Sequence, residues 1–128
     1  DTLGLIYPHG DFVQPNLPPP DFDKDILFKT LNSFEKLEIN QLAIAHFGIH
    51  KNSSELIKDA KESIENWILF ISNIENLSND DASHELVKWL TRNYESLGID
   101  NRTINNYIGN GNFIMQVEGI RNYLSKSN

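Results

Sequence analysis

Leu42-Ala43-Ile44-Ala45-His46-Phe47-Gly48 is the stretch at which this chain changes character. Its apolar run, Leu42 to Ala45, is too short for a helix and lies between polar Asn40 and Gly48, so it reads as a buried strand with His46 at its carboxyl end. Upstream the chain mixes extended pieces with one helix. Downstream the apolar residues recur at helical spacing to the last residues.

Working back from Leu42, the spacing of Leu27, Leu31 and Phe34, flanked by Ile26, Thr30 and Leu37, predicts a helix that Asp21 or Asp23 caps at its start. Before it, Pro15-Asn16-Leu17-Pro18-Pro19-Pro20 cannot be helical and cannot donate to a ladder at its prolines. It reads as an extended connector, stiffened toward polyproline II. Phe12-Val13 fits a short extended piece, and Leu3, Leu5, Ile6 and Tyr7 a strand that stops at the turn Pro8-His9-Gly10-Asp11. Strand, helix, strand is the order of a right-handed crossover unit.

Working forward, Asn52-Ser53-Ser54-Glu55 has capping-box spacing and opens a helix to about Asn73, with Ile57, Ala60, Ile64, Trp67, Ile68 and Ile71 on one side. Ser78-Asn79-Asp80-Asp81 opens another, with Leu86, Val87, Leu90, Tyr94 and Leu97 along it and Gly98 where a left-handed C-cap is expected. Asp100 caps a short helix through Ile104 to Ile108, and Phe113, Val117, Ile120 and Leu124 form a last apolar face. The expected result is a bundle of helices joined by short polar loops.

Composition narrows the function. The 128 residues suit one domain. With 11 basic residues against 18 acidic ones, a net charge of −7, the chain lacks the basic surface that nucleic acid or an anionic membrane demands. The absence of cysteine removes zinc-finger, thiol-nucleophile and disulfide readings, so any metal must sit on His, Asp or Glu. No apolar run approaches the length of a membrane span and no tripartite leader opens the chain, so the default compartment is the cytoplasm. The start at Asp1-Thr2-Leu3-Gly4, without Met and with residues suited to a strand interior, suggests a piece of something longer.

No His-x-His or His-Glu-x-x-His occurs among the four histidines. His84, beside Asp80 and Asp81 on a helix, reads as solvated, His9 as a turn residue and His50 as an exposed residue before a helix. His46 differs because ligands in sheet-based folds gather at strand ends, and Gly48 lets the backbone turn sharply or approach a ligand. On spacing alone it fits a structural histidine as well as a metal ligand.

Taken in order, Asp1-Thr2-Leu3-Gly4, a strand, Leu17-Pro18-Pro19-Pro20-Asp21-Phe22-Asp23, a helix, Ala45-His46-Phe47-Gly48 and an acidic amphipathic helix resemble the C-terminal half of metallo-β-lactamase-fold hydrolases, among them members similar to glyoxalase II and lactonases. The resemblance covers roughly residues 1 to 75, and the later helices look like the variable segment that many members append. It implies an α+β fold class: residues 1–52 form the C-terminal part of an αββα sandwich with few short strands, and residues 53–128 a helical region, so that the chain is mostly helical. It also implies that Asp1 bridges two metal ions, zinc with iron or manganese as substitutes, and that His46 ligates one of them. Phe47, Leu17 and Phe22 would line the substrate entrance.

The family's His-x-His-x-Asp-His cluster and a further histidine precede the bridging Asp, and nothing precedes Asp1 here. The partner implied is therefore a missing N-terminal half of the same protein. With it the chain would hydrolyse an ester, thioester or lactone-like bond in a small molecule; alone it should be inactive, because even one catalytic zinc usually wants three protein ligands. The appended helices could pack on the sandwich or form a homodimer contact. The alternative from another class is a non-catalytic helical protein–protein interaction domain built on the helices after Asn52.

Overall fold

The computed structural model describes residues 14–17, 22–37, 41–44, 48–51, 53–109 and 111–126, with the strand residues and Ser53 described by their backbone. The elements run α1 (Lys24–Glu35), β1 (Gln41–Ile44), β2 (Gly48–Lys51), α2 (Ser53–Asn73), α3 (Asn79–Ser96), α4 (Asn101–Gly109) and α5 (Phe113–Lys126). The chain is mostly helical, as its periodicity implies. The expected strand over residues 1–7, the Phe12-Val13 piece and the proline run at 18–20 lie outside the described residues.

The strand at Leu42 is present one residue early, and its expected crossover partner over residues 1–7 lies outside the described residues. β1 pairs antiparallel with β2, with Leu42 opposite His50 and Ile44 opposite Gly48. Gly48-Ile49-His50-Lys51 offers one apolar side chain, so composition gives little sign of a strand there; the backbone groups of a hairpin pair whatever the side chains are. His50, read as a residue just before a helix, is a strand residue.

The chain divides into two compact units: residues 1–16 and 23–67 form the first, residues 17–22 and 68–128 the second. The division falls inside α2, after Trp67.

In the first unit Asp23 is the N-cap of α1, its carboxylate accepting from the N–H groups of Asp25 at 2.9 Å and Ile26 at 3.2 Å. Of the face Leu27, Leu31 and Phe34, Leu31 is buried and its neighbours are half-buried. Ile57, Ala60, Ile64 and Trp67 of α2 are buried, following the i, i+3, i+4 pattern. Charged ties join α1 to α2. Lys61 Nζ donates to Glu35 Oε1 at 2.8 Å and to Asn32 Oδ1, and Lys24 stands 3.8 Å from Glu65.

The second unit has a core of its own. α3 packs against α5 and α4, burying Leu86, Leu90 and Tyr94 with Ile104, Tyr107, Phe113, Val117 and Ile120. The rings of Tyr94 and Tyr107 meet at 5.8 Å, and Phe70 stacks on Trp89 at 4.6 Å. Ser78 accepts from Asp81 N–H at 3.1 Å to open α3, and Asp100 from Thr103 N–H at 2.9 Å to open α4. Asn112 performs the same service for α5, accepting from Met115 N–H at 3.1 Å.

α3 ends in a Schellman motif, with Ile99 N–H bonded to Tyr94 O at 3.1 Å and Gly98 N–H to Glu95 O at 3.0 Å. Gly98 supplies the φ of +77° that this turn requires. The turn also overturns the expectation that Leu97 shares the apolar face: at the C-cap, where the helical path ends, it is 70% exposed.

Candidate functional site

β1 ends at Ile44 and β2 starts at Gly48, so Ala45, His46 and Phe47 form the link between two paired strands. His46, Phe47 and Asp1 lie outside the described residues.

The remaining entrance candidates belong to the second unit. Leu17 is 1% exposed and its N–H donates to the side-chain Oε1 of Gln116 on α5. Phe22 is 8% exposed, and its ring meets that of Tyr123 at 5.3 Å with the planes inclined by 50°. Both side chains are buried.

The donor set can be weighed by its chemistry. A divalent ion polarises a carbonyl oxygen and brings the pKa of a bound water from 15.7 to about 7, and two ions about 3.5–4 Å apart can share a hydroxide and a carboxylate. Asp suits the bridge because its two oxygens can serve two ions, and neutral His suits zinc, iron or manganese. Asp1 and His46 alone are too few to close such a centre.

Among the described residues the one group of potential ligands is Asp80, Asp81 and His84, whose ligand atoms lie within 4.8 Å of one another. All three are exposed, and His84 Nδ1 stands 3.9 Å from Asp80 Oδ2. The carboxylates occupy the first turn of α3, where the helix dipole favours negative charge. His84 is the solvated helix histidine that its context implies.

The electrostatic perturbations lie elsewhere. Partial burial raises the Asp59 carboxyl, reinforced by Glu62 and Glu55 on the same helix and opposed by Lys58. The backbone N–H and hydroxyl of Thr103 lower the Asp100 carboxyl, because both hydrogen bonds favour the charged form.

Gln116 escapes a reading based on motifs. Its position is nevertheless marked, since Phe113, Gln116, Val117 and Ile120 share one helical face and Gln116 is the polar member of that apolar row. A buried amide must find partners, and Leu17 N–H is one.

No helix of the described residues is long and apolar enough to cross a membrane. No protein-family model, curated protein or solved structure matches the chain.

Proposed function

We infer that the chain is the C-terminal portion of a metal-dependent hydrolase of the metallo-β-lactamase superfamily, acting on an ester, thioester or lactone-like bond of a small molecule. The observation that carries this reading is the order around His46: a helix capped by Asp23 follows the proline run, a strand follows that helix, and the strand stops two residues before His46. A histidine so placed can serve as a ligand at a strand end. Asp1 bridges the ions and His46 ligates one, residues 1–52 belong to the αββα sandwich, and the other ligands come from an N-terminal half. Phe47 stands beside His46 as an entrance residue. Leu17 and Phe22 are the further entrance residues of this reading.

Elemental analysis tests it. A longer gene product that contains this chain together with an N-terminal half should carry about two ions per chain and the 128-residue chain almost none. In the longer protein His46→Ala should lower both metal content and turnover of generic esters, thioesters and lactones. Normal values for both sink the assignment.

A second reading, a helical interaction domain, draws on three large apolar side chains left in solvent within the second unit: Leu69 (60%), Leu97 (70%) and Ile114 (42%). It predicts concentration-dependent self-association, or capture of a partner, without metal. Absence of metal from both proteins above, after metal-supplemented expression, transfers the assignment to this reading.

A further inference from the structure

We draw no further inference here: the strongest candidate, the exposed side-chain cluster of Asp80, Asp81 and His84 at the start of α3, carries nothing, because its carboxylates are first-turn charges that the helix dipole favours and no second feature among the described residues points to a ligand there.

Discussion

The two units are stabilised by different means. In the second, Ser78, Asp100 and Asn112 close the starts of three helices with acceptors three residues before the N–H they satisfy, and Gly98 closes an end. In the first, the ties between α1 and α2 join residues 26, 29 and 41 positions apart, and they are ionic or charge-assisted. Local caps form as soon as their own turn forms and resist salt. Charged ties between helices need both helices in place and weaken as salt screens them. The contrast is one of emphasis, since Asp23 also caps α1 locally and Arg121 and Gln116 of the second unit reach 42 and 99 positions back.

Each unit contains one of the chain's two tryptophans, Trp67 in the first and Trp89 in the second, so single-tryptophan variants read the units separately. The largest effect should come from Tyr107→Ala, which empties the centre of the helical unit where Tyr107 is fully buried against Tyr94. A loss of about 3–5 kcal/mol is expected, seen as an earlier Trp89 transition in urea. Leu31→Ala should remove about 2–4 kcal/mol and move the Trp67 transition further than that of Trp89. Equal displacement of both would erase the distinction between the units.

Gly98→Ala isolates a single local instruction. A Cβ there meets nothing within 4 Å, so only the positive φ opposes it, and the melting transition should fall by the equivalent of about 1 kcal/mol. Asp59→Asn works in the opposite sense and on the other unit. Asp59 titrates above its ordinary value, so its charge destabilises the native state once pH exceeds that raised pKa, and the penalty disappears as the group protonates. The variant should melt on the order of 1–2 °C higher at neutral pH. The gain should vanish on acidification to about pH 3, below the ordinary carboxylate range. A constant gain at both pH values would assign the effect to helix propensity instead of charge.

The second unit was the more legible in sequence for the same reason that it is locally closed. Ser78, Asp100 and Gly98 announce their roles by type and spacing, and the rows of Ile and Leu residues announce the buried faces. Asp23 was legible in the first unit on the same grounds. The hairpin partner Gly48–Lys51 was not, because pairing is a property of two backbones and leaves little trace in the side chains of one. Of the candidate site, the position of His46 next to a strand could be read, since Leu42 to Ala45 ends there. The burial of Leu17 and Phe22 could not, because it depends on Gln116 and Tyr123 a hundred residues away.

α5 has a further consequence, for the order in which the chain can fold during synthesis. Its Arg121 donates to Ile74 O at 3.0 Å and to Asn79 Oδ1 at 2.7 Å, reaching both the residue after α2 and the first residue of α3. Its Gln116 reaches back 99 positions to Leu17. Until residues 113–126 have been made, the α2–α3 turn lacks its guanidinium and the Leu17 N–H lacks its Gln116 acceptor. A nascent chain halted after α4 would already contain four of the five described helices and still expose the apolar faces that the fifth covers, the kind of intermediate that aggregates or engages a chaperone.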